Sequence, residues 1–145
     1  MKILYDSSAI IALIVKEHPK YDQAVQTYMK LSKKKNSFYI CTHTIAEVFR
    51  SITRGADYLI TTAGEANQII NEVILPVFDT VDLTTSDYVH VLSVMEKNQL
   101  TGAIIYDALI SQSAAKINAD YLVTFNAKDF QRVFPENGAD LIIPG

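Results

Sequence analysis

Apolar residues in this chain follow two rhythms. Short continuous apolar runs alternate with longer stretches in which apolar positions recur every three or four residues. The first rhythm predicts buried strands and the second predicts helices. Residues 2–5 (Lys2-Ile3-Leu4-Tyr5) read as a strand that ends at Asp6-Ser7-Ser8. An apolar helix over 9–15 follows, and Pro19 punctuates it. Tyr21, Val25, Tyr28 and Met29 then fall at helical spacing, and Lys33-Lys34-Lys35 suits the negative end of a helix dipole. Residues 38–41 read as the second strand. A helix opens at Thr44 and runs to about Arg54, where Gly55 stops it. Residues 63–74 are helical with Pro76 beyond, and 77–81 form a strand. A helix over 86–97 puts Tyr88, Val91, Leu92 and Met95 on one face. A loop around Thr101-Gly102 leads to a helix over 107–117, then a strand over 121–124 and a short last one over 141–143. This alternation predicts an α/β fold with a largely parallel central sheet flanked by helices. No linker, repeat or low-complexity tract interrupts it, so one domain is expected over 1–145.

Composition narrows the class. The chain is 49% apolar and 20% charged, as ordinary globular proteins are. Its single cysteine, Cys41, excludes a disulfide framework and a cysteine zinc cluster, and fits a reducing cytoplasm. No apolar run approaches the ~18 residues of a membrane span. An acid, Asp6, inside the first apolar stretch makes a poor signal peptide. The net charge of −3 is unusual for an avid nucleic-acid binder. Its distribution is uneven, however. Residues 1–60 carry nine Lys/Arg and five Asp/Glu, whereas residues 61–145 carry four and eleven. A locally basic surface is compatible with the acidic total.

Four acids stand at predicted strand ends or helix starts. Asp6 follows the first strand directly, where it either caps the next helix or faces a ligand beyond the sheet. Glu47 completes Thr44-x-x-Glu47, which matches a capping box, and on the sequence alone the cap is the stronger reading. Asp107 sits inside the apolar run Ile104 to Ile110, where an unpaired charge is costly unless a helix dipole or a cation compensates. Asp129 follows Thr124 and Asn126, in a segment that also reads as an Asx turn and helix cap. Each acid alone is weak evidence, but their coincidence at one expected sheet edge is much stronger. Mg²⁺ and Mn²⁺ favour such oxygen donors, and Mg²⁺ keeps several waters, so a few carboxylates suffice. A bound ion of this kind supports phosphodiester hydrolysis without a serine nucleophile. Phosphate-cradling, dinucleotide, nucleophile-elbow and zinc-protease motifs are absent from the sequence. The histidines show no ligand spacing, and His43 alone falls four residues from Glu47. Lys30, the lysine run, Arg50 and Arg54 either are solvated or steer a phosphate backbone. Arg50 faces the substrate or pairs with Glu47. The tyrosines at helical spacing read as core or interface rather than as stacking platforms.

Four segments in this order resemble the PIN-domain nucleases, and within them the VapC-like toxins of toxin–antitoxin pairs. They are Ile3 to Ser8, Thr44 to Val48, Thr101 to Ile110 and Ala119 to Phe130. The resemblance implies a PIN-like three-layer fold and a Mg²⁺- or Mn²⁺-dependent endoribonuclease. It implies that Asp6, Glu47 and Asp107 match the three core acids. The family's fourth acid varies in position. Here Asn126 fills the earlier slot, so Asp129 would supply the charge, and metal ligation would fall to Asp6, Asp107 and Asp129. Ser7 and Thr124 would assist through hydrogen bonds to ligands or phosphate. The implied partners are RNA, a small antitoxin and a second copy of the chain. Two rivals remain on the sequence alone. One is a non-catalytic scaffold of the same fold that binds RNA or protein. The other is a receiver-like domain, which usually wants adjacent acids where Ser7 follows Asp6.

Overall fold

The computed structural model describes residues 1–54, 61–133 and 138–145. Its centre is a five-stranded sheet of β1 (Lys2–Tyr5), β2 (Ser37–Cys41), β3 (Asp79–Val81), β4 (Tyr121–Val123) and β5 (Asp140–Ile142). The strand order is β3-β2-β1-β4-β5, and every pairing is parallel. The helices are α1 (Ser7–Ile14), α2 (Tyr21–Ser32), α3 (Thr42–Arg54), α4 (Ala63–Ile69), α5 (Thr85–Lys97), α6 (Ile104–Lys116) and α7 (Ala127–Val133). A π-helical turn, Ile70–Ile74, continues α4.

Alternation along the strands creates the layers, because successive side chains point to opposite faces. Ile3 and Tyr5 pack with Ile40 and Val123 on one face, against residues of α1, α3 and α4. Leu4, Cys41 and Leu122 pack on the other, against residues of α5, α6 and α7. The result is the three-layer sandwich expected from the sequence. No helix among the described residues is long and apolar enough to cross a membrane.

Several boundaries differ from those the sequence predicts. The strand expected over 77–81 begins only at Asp79, because the amides of Val77 and Phe78 both donate to the Ile74 carbonyl and prolong the helix end. α3 begins at Thr42 rather than Thr44, α6 at Ile104 rather than Asp107, and α7 at Ala127, ahead of the helix cap read at Asp129. On α5, Val91 and Met95 are buried but Tyr88 and Leu92 are exposed, so only half of the expected apolar face meets the core. The expected stop at Gly55 lies outside the described residues.

One core group is unmatched. Tyr5 lies in an edge-to-face cluster with Phe38 and Phe78, and its buried hydroxyl has no hydrogen-bond partner among the described residues. Burial there pushes its ionisation far above the usual tyrosine range. A desolvated, unsatisfied hydroxyl is a net cost, whereas an apolar group of the same shape is not. Tyr5→Phe should therefore raise stability in urea by about 1 kcal/mol. A loss of stability would show that the hydroxyl has a partner in solution.

Candidate functional site

The strand order fixes where a site can form. From β1 the chain moves outward through β2 to β3, then returns to lay β4 on the opposite side of β1. The crevice beyond the carboxyl ends of β1 and β4 is thus a topological switch point, the usual ligand position in an open parallel sheet. Asp6 leaves β1 and Thr124 leaves β4 at that crevice. α3 and α7 also start there, because they follow β2 and β4 directly. α6 ends at Lys116, shortly before β4 begins at the opposite edge. At ~1.5 Å per residue, its first turn therefore lies back toward the crevice.

Asp6 caps α1 and lies at the crevice. Its Oδ1 accepts from the Ala9 amide at 2.8 Å, which caps α1. Its Oδ2 accepts from Thr124 Oγ1 at 2.6 Å, and Ser8 Oγ donates to both oxygens at 2.8 and 3.0 Å. Only 3% of Asp6 is exposed. Burial outweighs these donors and holds its carboxyl up at about 6, with Glu47 adding to the rise. Thr124 is fully buried and also accepts the Asn126 amide at 2.8 Å, so one hydroxyl joins the carboxylate to the turn that starts α7. The Phe125 amide donates to Ser8 Oγ at 3.1 Å, a second tie between the ends of β1 and β4.

The capping-box reading of Glu47 does not hold. α3 starts at Thr42, Thr44 is buried, and Glu47 lies in the second turn. Its Oε1 instead accepts from Ser7 Oγ at 2.8 Å, and His43 Nε2 lies 3.5 Å away. Asp107 is half-buried in the first turn of α6. Its carboxyl is pushed up to about 7, mainly by burial and then by the charges of Asp129, Asp6 and Glu47 in turn. The charges of Asp6, Glu47 and Asp129 thus all reach Asp107. Among the described residues no lysine or arginine pairs with any of them.

Other expectations separate. Arg50 is exposed and forms no ion pair with Glu47 among the described residues, which removes the pairing alternative. Asn126 contributes its carbonyl to the first turn of α7, accepting from the amides of Asp129 and Phe130 at 3.2 and 3.3 Å. Lys33, Lys34 and Lys35 precede β2, so they lie at the amino edge of the sheet, across from the acids. His43 carries little weight on spacing alone, yet it stands beside Glu47 with its ring stacked on Tyr106. No local pattern could reveal that pairing, because the two residues lie on different helices.

A family model for the PIN domain matches residues 3–134. This chain belongs to the PIN domain family. No curated sequence matches it. This PIN domain is similar in structure to VapBC2 from Rickettsia felis bound to a DNA fragment from its promoter. The TM-score is 0.69 at 23% identity, over 99% of this chain and 98% of that one. It is also similar to Mycobacterium tuberculosis VapC20, a sarcin–ricin loop cleaving toxin, with a TM-score of 0.69 at 16% identity, over 92% and 97% of the two chains. VapBC-1 from nontypeable Haemophilus influenzae gives 0.67 at 21%, over 99% and 98%. At such identities the likeness is one of fold.

The donor set suits a hard divalent cation. All four acids are oxygen donors, and among the described residues no lysine or arginine pairs with Asp107 to relieve the repulsion of Asp129, Asp6 and Glu47. Among the described residues no group of three or more His, Cys, Asp or Glu side chains is placed to hold a metal ion. Mg²⁺ does not need one, since it binds through one or two carboxylates and keeps waters or substrate phosphate oxygens for the rest.

The hydroxyl that joins the two strand ends offers a direct test of this PIN domain's architecture. Thr124→Val keeps the shape but leaves the buried Asp6 Oδ2 and the Asn126 amide without that partner. The expected cost is roughly 1–3 kcal/mol in urea denaturation, and Thr124→Ser should recover most of it. Equal stability of the valine and serine variants would show that the hydroxyl bonds contribute nothing.

Proposed function

We propose that this PIN domain is a divalent-metal-dependent endoribonuclease, the toxin of a toxin–antitoxin pair. The observation that carries the reading is the buried carboxyl of Asp6 at the switch-point crevice, with the charges of Asp129, Asp6 and Glu47 all raising the carboxyl of Asp107. In this reading Asp6, Asp107 and Asp129 would hold Mg²⁺ or Mn²⁺. The ion would polarise the phosphate and lower the pKa of an attacking water.

The chain's own residues supply position. Thr124 and Ser8 fix both oxygens of Asp6. Ser7 holds Glu47 turned toward β1, where its carboxylate would accept a proton from the attacking water. Asn126 and the exposed Arg50 would contact the RNA backbone.

The names of VapBC2 and VapBC-1, and VapC20's printed activity on the sarcin–ricin loop, support the toxin role and the RNA substrate. The expected protein partners are a small antitoxin that covers the acidic crevice and a second copy of this chain. The buried free thiol of Cys41 agrees with a reducing cytoplasm. Incubation with single-stranded RNA and Mg²⁺ tests the reading. Internal cleavage that a chelator stops is the expected result. Intact RNA across a panel of structural and messenger RNAs would favour a non-catalytic scaffold.

A further inference from the structure

Beside the acids stands a pair of rings to which the proposed cleavage assigns no part. His43, in the first turn of α3, and Tyr106, in the first turn of α6, stack with centroids 4.9 Å apart and planes 7° from parallel. Both rings are tied to the acidic crevice. His43 Nε2 lies 3.5 Å from Glu47 Oε1, and Tyr106 directly precedes Asp107 in the chain. Tyr106 joins neither core cluster and remains 46% exposed. The fold thus braces a large flat ring from behind while leaving much of it in water.

Packing alone does not account for this arrangement. A tyrosine kept for the core would bury its ring, as Tyr5 does at 1% exposed. A tyrosine kept only for solubility would need no parallel ring against it. A braced, half-exposed aromatic presents a flat π-face, and the ligand chemistry that matches such a face is an unpaired nucleobase. The carboxylates nearby repel phosphate unless a cation intervenes, whereas an uncharged base can approach the ring without one.

Building on the nuclease reading, we propose that Tyr106, backed by His43, is the stacking platform for one unpaired base of a single-stranded RNA, adjoining the phosphate held over Asp6 and Asp107. The base, the Tyr106 ring and the His43 ring form a three-layer stack. Duplex RNA is disfavoured, because its bases are already stacked and paired. A purine is favoured over a pyrimidine through its larger face.

The test uses the full chain and a single-stranded hexauridylate that carries one internal 2-aminopurine, whose fluorescence falls on stacking. Binding is read in Ca²⁺ and cleavage in Mg²⁺, with wild type, Tyr106→Ala and Tyr106→Phe, all checked for cooperative melting. The wild type should quench the probe. Tyr106→Phe should keep the quench, and Tyr106→Ala should lose it and bind roughly 5- to 100-fold more weakly. A hexamer with an abasic site in place of the probe should bind wild type as weakly as the intact hexamer binds Tyr106→Ala. Undiminished quenching by Tyr106→Ala, full-strength binding of the abasic hexamer, or no binding by wild type would each overturn the platform. Quenching that depends on Tyr106, with both the hexamer and the panel of structural and messenger RNAs left intact, would instead remove the nuclease reading and leave the platform standing. Cleavage without quenching would do the reverse.

Discussion

Asp107→Asn should lower RNA cleavage by roughly 10³-fold and, at the same time, raise the melting temperature of the metal-free protein. The two effects share one cause. In the absence of a cation, Asp107 sits half-buried among Asp129, Asp6 and Glu47, which push its carboxyl up to about 7. Asparagine keeps the shape and removes the charge, so the repulsion disappears. Because Asp107 is far from fully buried, solvent screens much of that repulsion, and the gain is about 1 kcal/mol or less, or ~2–4 °C in a domain of this size. The proposed chemistry needs the same charge to hold an ion that stabilises the transition state by several kcal/mol, which converts to about three decades in rate. Single-turnover cleavage and calorimetry on one preparation check both halves. An active Asp107→Asn would refute the catalytic role. An inactive variant that melts well below the wild type would mean that the loss is structural.

The stability of the metal-free protein should fall as pH rises from 5 to 8, and a divalent ion should reverse the fall. Asp6 is held at about 6 and Asp107 at about 7, both above the ~3.9 of an aspartate in an unfolded chain. A carboxyl raised on folding binds its proton more tightly in the native state. Its contribution to stability is therefore complete below the unfolded value and is lost as pH rises through the folded one. Asp87 works the other way. Its contacts with Lys116, Thr84 and Gln112 hold it well below the usual range, and its contribution is lost only in acid, outside this window. At pH 8 both Asp6 and Asp107 are charged and ready for a cation. Mn²⁺ at ~100 times its Kd should then add about 2.7 kcal/mol, or roughly 5–10 °C, and much less at pH 5. A melting temperature flat across this range, or an equal Mn²⁺ shift at both pH values, would contradict the electrostatic account.

The sequence revealed the sheet and the acids but not what surrounds them. β1, β2 and β4 were legible because they are short apolar runs bounded by polar residues, a pattern that burial on both faces imposes. Asp6 was legible because it closes such a run. Glu47 was legible as an acid but not in its role. Thr44-x-x-Glu47 fits a capping box by spacing, and only the burial of Thr44 and the start of α3 at Thr42 exclude it. The start of α6 was misplaced for a related reason. Asp107 resembles a helix head, but the apolar Ile104, Ile105 and Tyr106 already form the first turn. The lysine run read as a solvated helix end, with a guide for a phosphate backbone as the alternative, and strand direction places it at the edge across from the acids. The stack of His43 on Tyr106 was invisible, since it depends on how α3 and α6 meet. Local spacing therefore found the charges, while tertiary packing decided their neighbours.

The central claim is that four dispersed acids make one cation site. Titration of the metal-free protein with Mn²⁺ at pH 8, following the free ion by electron paramagnetic resonance, tests it most directly, with Asp6→Asn and Asp107→Asn measured alongside. The account predicts saturable binding by the wild type that either substitution removes while the fold persists. No binding by the folded wild type up to millimolar Mn²⁺, or binding that survives both substitutions, would contradict it.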